Sequence, residues 1–408
     1  MNYLIRLFFL ILSTFSIFKF FFKRITTLSI FDYSEEFLLL FCFMIIFLNI
    51  WYKKKLALIH MAFIFFLIYS ITISLLFGLN RNVIDIVVQS VVNIKFFIFL
   101  ITFVMLFKNH IQELKNFLFL VLAFVALGLF LHLVLGTTFN SIYNVSTYAR
   151  PNLRYTGFFR HPNHLAYVAI IFIALTLDSI KKRGDNINLI GWLKIIVGIG
   201  VVILSDSRTA FLAIAILFTL FYWDYVYKNA IVFVSFIFIG LLTVFLVLLF
   251  TDLSESIVSN FEMSYSLDSH YIRGLMLYMS SLLLIQYFPI GSGAGTFGSI
   301  FAHDSQVYKD FGVSHRYYFV EEWGIYDSNI ASIIGEYGFI GIILFIILFR
   351  TSFENLIYNF SGAKKAIMLK AMFWVFAFFC ISNPMLTNSV YILLSVPVFL
   401  IIANTKEL

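Results

Sequence analysis

The sequence predicts an all-α polytopic integral membrane protein, and three observations carry that expectation. Of 408 residues, 62% are hydrophobic and only 12% are charged, about half the charged share of a soluble domain. Apolar runs near the length that crosses a bilayer, about 20 residues, recur from one end of the chain to the other. The basic residues behind the net charge of +7 are scattered between those runs instead of massed on one polar segment, which excludes a nucleic-acid groove.

The runs fall at 3–22, 37–51, 56–77, 83–107, 117–135, 164–180, 189–205, 209–223, 230–250, 330–349, 366–386 and 389–403, giving about twelve spans. The first carries Arg6 and has no small-residue cleavage site after it, so it reads as a helix and not as a removed signal. The expected division is membrane helices over 1–250, a large loop with interfacial helices over 251–329, and membrane helices again over 330–408. Cys42 and Cys380 lie inside apolar runs as small buried hydrophobes, with no disulfide or metal framework implied.

Orientation follows from the short loops. With alternating spans, Lys53-Lys54-Lys55, Lys181-Lys182-Arg183 and Arg350 with Lys364-Lys365 share one side, expected to be cytoplasmic together with Lys108, Lys115 and both termini. The stretches 136–163, 205–208 and 251–329 then face outward. That side receives eight of the eleven arginines (Arg24, Arg81, Arg150, Arg154, Arg160, Arg208, Arg273, Arg316) but, of the seventeen lysines, only Lys23 and Lys309. The positive-inside rule accounts for the lysines alone. A guanidinium is permanently charged and its planar fork of donors matches phosphate, so a phosphate or diphosphate ligand at the outer face is the simplest cause. Lipid headgroups or neighbouring acids are the competing one.

Several stretches could hold that ligand. Arg150-Pro-Asn-Leu-Arg-Tyr-Thr-Gly-Phe-Phe-Arg-His-Pro-Asn-His164 masses arginines and histidines just ahead of a helix whose start Pro162 marks, where the helix dipole adds to the positive field. Ser205-Asp-Ser-Arg208 is a very short turn between apolar runs, so Arg208 is expected close to the membrane surface, on an anion or bridged to Asp206. The long segment passes Asp252, Glu255 and Glu262 before Asp268-Ser-His-Tyr-Ile-Arg273, and 270–288 reads as an interfacial amphipathic helix. Pro289-Ile-Gly-Ser-Gly-Ala-Gly-Thr-Phe-Gly298 has the spacing of a dinucleotide loop without its strand, so close backbone packing or approach to a ligand is the better account.

Asp327 and Asn329 stand at the start of an apolar helix, as caps or as site residues, and Glu336 lies about two turns inside it, where an ionised carboxylate needs a cation or water. Tyr317, Tyr318, Trp323 and Tyr326 offer flat faces for sugar rings and equally suit a membrane interface. Lys19 and Lys95 are the main charges within apolar runs, with Asp85 or snorkelling as outlets for Lys95.

Taken in order, Gly157-Phe-Phe-Arg-His-Pro-Asn-His-Leu-Ala166, Ser207-Arg208, the Arg273 helix running into 289–297, and Asp327-Ser-Asn to Glu336-Tyr-Gly-Phe-Ile-Gly341 resemble the O-antigen ligase/polymerase family of bacterial membrane proteins. The resemblance implies a GT-C-like helical architecture and a metal-independent, cofactor-free glycosyltransferase. Its substrate would be an undecaprenyl-diphosphate-linked oligosaccharide at the outer face of the cytoplasmic membrane. The family's diphosphate arginines match Arg208 and Arg273. Ligases of the family typically carry a His where this chain has Asp327, so the resemblance is nearer the repeat-unit polymerases of O-antigen, capsule or exopolysaccharide.

The expected machinery is Arg160, Arg208 and Arg273 on the diphosphate. Asp327, Glu336 and His161 are candidates for taking the acceptor's proton, and Trp323, Tyr326 and Asn329 for holding sugar. Membrane lipids and a chain-length regulator are candidate partners. The rivals are a ligase transferring glycan to lipid A core and a transporter or flippase, which would place its charged groups mid-membrane.

Overall fold

The computed structural model describes residues 3–26, 31, 33–53, 58–80, 82–143, 154–183, 187–223, 234, 266–360 and 367–404. Of the expectations above, the span 230–250 apart from Val234, and Lys54, Lys55, Arg81, Arg150, Asp252, Glu255, Glu262, Lys364 and Lys365, lie outside the described residues.

The chain opens with a bent pair, α1 (Tyr3–Ile17) and α2 (Lys19–Thr26), set at 79° to each other, followed by α3 (Ser34–Lys53) and α4 (Leu58–Phe77). A second pair, α5 (Val83–Asn93) and α6 (Lys95–Phe107), bends by 52° at Ile94, ahead of α7 (Ile111–Leu135) and the short α8 (Thr137–Tyr143). Next come α9 (Pro162–Arg183), α10 (Leu189–Ser205) and α11 (Arg208–Phe221). Further along, α12 (Ile272–Gln286), α13 (Gln306–Asp310) and α14 (Tyr317–Val320) lead to α15 (Asn329–Asn359), α16 (Ile367–Phe379) and α17 (Ser389–Ala403). No strand occurs among the described residues.

Five helices, α3, α4, α7, α9 and α15, are long and apolar enough to cross a bilayer, and the count reaches seven if each bent pair is one span. The other apolar helices, α10, α11, α12, α16 and α17, have 13–17 residues. At 1.5 Å per residue they extend roughly 20–26 Å, short of a hydrocarbon core about 30 Å thick. By length, then, the structure supports five to seven spans where the sequence predicts about twelve.

Burial sorts these helices. From Tyr391 to Ala403 every residue of α17 is buried, and α6 is buried along nearly its whole length. A helix apolar on all sides belongs inside a bundle, and α17 packs against α1, α6, α7 and α9. By contrast α3, α4 and α7 expose large side chains such as Phe47, Phe65 and Phe119, the outward face of a membrane bundle.

The bends have identifiable causes. At Ile94 the chain carries Asn93 and Lys95 to different partners: Asn93 Nδ2 donates to Glu336 Oε2 at 3.1 Å, while Lys95 Nζ donates to Glu35 Oε2 at 2.9 Å and to the Thr387 carbonyl at 3.3 Å. Pairing of Lys95 with Asp85 is thereby corrected. Asp85 sits in the first turn of α5, about 15 Å back along the helix axis, whereas Glu35 lies beside the break. Lys19, at the other bend, comes within 4.0 Å of the same Glu35 carboxylate, which also accepts from Ser389 Oγ at 2.7 Å. The charges inside the apolar runs are therefore paired, as burial in a bundle demands.

Residues 266–329 are not a simple loop. Leu275, Met276, Met279, Leu283, Phe297, Tyr308, Phe319 and Ile325 close a second small hydrophobic core with Ala331 of α15. The expected amphipathic helix exists as α12, its buried side packed along α15.

The glycine segment is the joint between this body and the bundle. Within α15, Gly338 leaves helical geometry at φ 62°, ψ −158°, and the segment from Pro289 lies on the kink. Ser292 N donates to Gly335 O at 2.9 Å, Gly293 N to Glu336 O at 2.8 Å, and Ile340 N to Pro289 O at 3.2 Å. A Cβ on Gly291, at φ +77°, would stand 2.5 Å from Gly338 N. The glycines are there so that one backbone can lie on another.

Candidate active site

Arg154, Arg160, His161, Arg208, Arg273 and Asp327 lie at the starts of α9, α11, α12 and α15 and in the stretch and turns just ahead of them. The stretch before α9 is fastened from three directions. Phe158 and Phe159 are buried, and Phe158 packs against Phe21 and Phe124 as tilted ring pairs with centroids 4.2 and 4.7 Å apart. Buried His132 of α7 accepts through Nδ1 from Thr156 N at 3.2 Å and Gly157 N at 3.3 Å. Tyr155 N donates to Leu204 O at 3.1 Å, which ties the stretch to the end of α10.

Arg154 completes that tie. Its Nε donates to Ser205 O at 3.3 Å and its Nη2 to Asp206 O at 3.0 Å, with Nε 3.7 Å from Asp206 Oδ2. Asp206 holds the left-handed conformation at φ 49° that ends α10. A permanently charged fork on the last carbonyls of a helix satisfies acceptors that have no partner within it, and here it fixes the turn from which Arg208 emerges. The alternative of a bridge between Arg208 and Asp206 is not what the structure shows: Asp206 pairs with Arg154, and Arg208 projects, exposed, from the first turn of α11.

The anchored stretch ends in exposed Arg160 and half-buried His161. His161 sits among the guanidinium groups of Arg154, Arg273 and Arg160. Burial, reinforced by those positive charges, pulls its pKa down from the usual value to about 4. Arg273, in the first turn of α12, donates from Nε at 3.2 Å and Nη2 at 2.9 Å to Asp327 Oδ2. Burial pushes the Asp327 pKa up, and Arg273 opposes part of that shift. Gly324, at φ +80°, lets the turn ahead of Asp327 lie against Ile272, where a Cβ would come within 3.0 Å of the Ile272 side chain.

Asp327 is not the helix cap. Ser328 Oγ takes that position and accepts from Ala331 N at 3.2 Å, which leaves the Asp327 carboxylate to Arg273. Asn329 is not a cap either, and its amide is engaged at both ends: Oδ1 accepts from Leu386 N at 2.8 Å and Nδ2 donates to Thr387 Oγ1 at 3.3 Å. It staples α15 to the turn before α17 and does not join the arginines.

Glu336 is placed elsewhere again. It is wholly buried, with Oε1 accepting from Gly295 N at 2.8 Å and Oε2 from Asn93 Nδ2 at 3.1 Å. Where a cation or water is expected beside it, a backbone N–H and a side-chain amide donate, so its position is that of a clamp on the glycine segment. Trp323 stacks on Tyr318 at 5.7 Å and 12° between planes, with Tyr317 edge-on at 6.3 Å, and both Trp323 and Tyr317 are exposed. Tyr326 is half-buried beside Glu322, with burial pushing its phenol up. Arg316, one of the arginines assigned outside, is spent on Asp268 at 2.6 Å.

Some of the site was invisible in the sequence. Asn163 Nδ2 donates to Asn383 Oδ1 at 2.8 Å, Tyr391 OH donates to the same oxygen at 3.3 Å, and Asn383 Nδ2 donates to Ser382 Oγ at 3.1 Å. Ser382 Oγ in turn lies 3.5 Å from Thr209 Oγ1, one residue past Arg208. Reading 366–386 as one apolar span hid this turn, although Ser382-Asn383-Pro384 is a turn signature. The role of Arg154 was hidden as well, because carbonyls at a helix end have no signal in sequence. Among the described residues no three His, Cys, Asp or Glu side chains converge to hold a metal ion.

No curated protein matches the chain. Residues 193–346, which contain Arg208, Arg273, the glycine segment, Asp327 and Glu336, match the family model described as O-antigen ligase.

Proposed function

We propose that this protein is a glycosyltransferase that polymerises undecaprenyl-diphosphate-linked repeat units at the outer face of the cytoplasmic membrane, with about twelve passes and the arginine end outward. The observation that carries the reading is the convergence of Arg154, Arg160 and Arg273 on His161, with the Arg208 turn pinned by Arg154. Exposed Arg160 and Arg208, and an Arg273 that engages Asp327 through only part of its fork, suit an anionic headgroup whose lipid tail lies along the helices.

In this mechanism the donor diphosphate takes Arg160, Arg208 and the Nη1 edge of Arg273. A sugar hydroxyl of the acceptor attacks the anomeric carbon. Its proton passes to the Asp327 carboxylate, and the electron pair of the breaking C–O bond goes to the diphosphate oxygen, where the guanidinium groups hold the charge that builds. Glu336 is left out of the chemistry and assigned to holding the glycine segment. Asn329 is assigned to positioning α15. Trp323 with Tyr317 and Tyr318 forms the flat surface for acceptor sugar, with Tyr326 beneath it. Asp327, in place of a histidine, favours polymerase over ligase.

The experiment is reconstitution of the purified chain with lipid-linked repeat units and no energy source. Formation of long chains on the lipid diphosphate supports the reading. Transfer only to a lipid A core acceptor would make it a ligase, and movement of the substrate without any new glycosidic bond would make it a transporter.

A further inference from the structure

Three of the side chains assigned to the transfer stand at helix starts: Arg160 just ahead of α9, Arg208 opening α11, and Asp327 just ahead of α15. These starts are far apart in the chain. The turn 380–388, between α16 and α17, makes polar contacts with all of them. At α9, Asn163 Nδ2 donates to Asn383 Oδ1 at 2.8 Å. At α11, Thr209 Oγ1 lies 3.5 Å from Ser382 Oγ, which accepts from Asn383 Nδ2 at 3.1 Å. At α15, Ile330 N donates to Cys380 O at 3.4 Å, while the Asn329 amide accepts from Leu386 N and donates to Thr387 Oγ1.

The turn is itself braced. Asn383 N donates to Phe379 O at 2.8 Å and Asn388 N to Pro384 O at 2.9 Å, while Lys95 Nζ holds Thr387 O and Glu35 holds Ser389 Oγ. Satisfied polar networks of this kind rigidify the segment they run through. Asn383 is the side chain of the turn that bonds toward both α9 and α11. Tyr391 supports it on the α9 side: its hydroxyl donates to Asn383 Oδ1 at 3.3 Å, and its ring stands edge-on to His164 in the first turn of α9, 4.6 Å between centroids. At 2% exposure Asn383 is out of a ligand's reach, whereas Arg160 and Arg208 are exposed.

We infer that Asn383 is a positioning residue for the glycosyl transfer: by tying the start of α9 to the start of α11 it sets the spacing of Arg160 and Arg208, and with it their fit to one diphosphate. The inference rests on the diphosphate reading above and deepens it with a residue outside the matched segment 193–346. Two guanidinium groups on separate segments grip the same ligand only if their separation is fixed before it arrives. Misplacement by about 1 Å costs on the order of 10²-fold in rate. The same turn holds α15 through Asn329, so Asp327 is kept in register with the arginines.

The first arm of the test needs no turnover. Nitroxides on Arg160→Cys and Arg208→Cys, in full chains in lipid nanodiscs with the buried Cys42 and Cys380 replaced as Cys42→Ala and Cys380→Ala, report the spacing by electron spin resonance. A narrow distance distribution is expected, broadened or shifted by Asn383→Ala. An unchanged distribution overturns the inference.

The second arm is polymer formation from lipid-linked repeat units. Asn383→Ala should lower kcat per folded molecule by about 10–10²-fold, and Ser382→Ala, which cuts only the α11 branch, by less. A residue that acts through Arg208 adds little once Arg208 is gone, so in an Arg208→Ala background Asn383→Ala should cost at most about threefold more. An equal loss in both backgrounds, or a loss that only follows the folded fraction, would make Asn383 structural and overturn the inference. Should Asn383→Ala fail to fold, Ser382→Ala carries both comparisons. If the wild-type chain forms no polymer, the transferase reading falls, and the nitroxide distances alone decide whether Asn383 sets the spacing of the arginines.

Discussion

Two regions of the molecule carry charged residues that look alike in the sequence and differ in how far their polar atoms are committed. At the glycine joint, Glu336 is fully buried and each carboxylate oxygen has a donor within the fold. At the arginine end, Arg160 and Arg208 are exposed, His161 and Asp327 are half-buried, and Arg273 engages Asp327 through only part of its fork. A charge whose partners are all internal holds a fold together. A charge held in place with donors to spare is available to a ligand. The contrast teaches that residues alike in charge and motif membership differ in how far the fold commits their polar atoms.

The sharpest break of that contrast is at the joint. Gly291→Ala puts a Cβ against the Gly338 backbone at a left-handed φ, and Glu336→Leu strands the Gly295 N–H, at about 1–3 kcal/mol for a buried orphan, and leaves Asn93 Nδ2 with Tyr337 OH as its acceptor. Both variants should lose monodisperse folded protein on size-exclusion chromatography, with activity falling only in proportion to the folded fraction. A Glu336→Leu protein that melts normally and is inactive would move Glu336 into the chemistry.

At the other region the expectation reverses. Arg208→Ala should melt like the wild type, since its side chain is exposed, and lower polymer formation by about 10²–10³-fold, the usual loss for one donor on a developing charge. Long chains made by a well-expressed Arg208→Ala protein would remove the mechanism.

Arg154 lies between the two regions, committed to structure on behalf of the site. Replacement by Lys keeps the charge but cannot span the Ser205 and Asp206 carbonyls with a planar fork. Arg154→Lys should therefore lose about tenfold in kcat with little change in melting. Equal kinetics in the two proteins would show that the turn holds itself.

The pH profile gives a smaller effect with a definite sign. Asp327 must be ionised to accept a proton, and burial raises its pKa against the opposing pull of Arg273. Activity should thus fall with acid through a value above the ordinary Asp range. In the residual activity of Arg273→Gln the lost counter-charge lets the Asp327 pKa climb further, so the limb should move to higher pH. A limb that stays put would exclude Asp327 as the titrating group. Smallest of all, Trp323→Ala should raise the acceptor KM by only about threefold, a fraction of the value of an aromatic contact, with the donor KM unchanged.

The family match spans 193–346, whereas Arg154, Arg160, His161, Asn383 and Tyr391 lie outside it and become part of the same end of the bundle only through folding. That division follows the limits of sequence reading. Membrane class, the helical runs, Pro162 as a helix start and the weight of arginine between runs were legible, because hydropathy and backbone chemistry are local properties. The breaks at Ile94 and near Lys19, the turn at 380–388 and the partners of Lys95, Asp206 and Glu336 were not, because each depends on a residue far along the chain.

Composition alone determined that the chain lives in lipid, since 12% charged residues cannot cover a water-facing surface. Local pattern determined where most helices start. Only the tertiary structure decided which charges stay available. The Coulomb and hydrogen-bond terms that satisfy a buried carboxylate act over a few ångströms, and whether Gly295 or a ligand fills that distance is settled by packing.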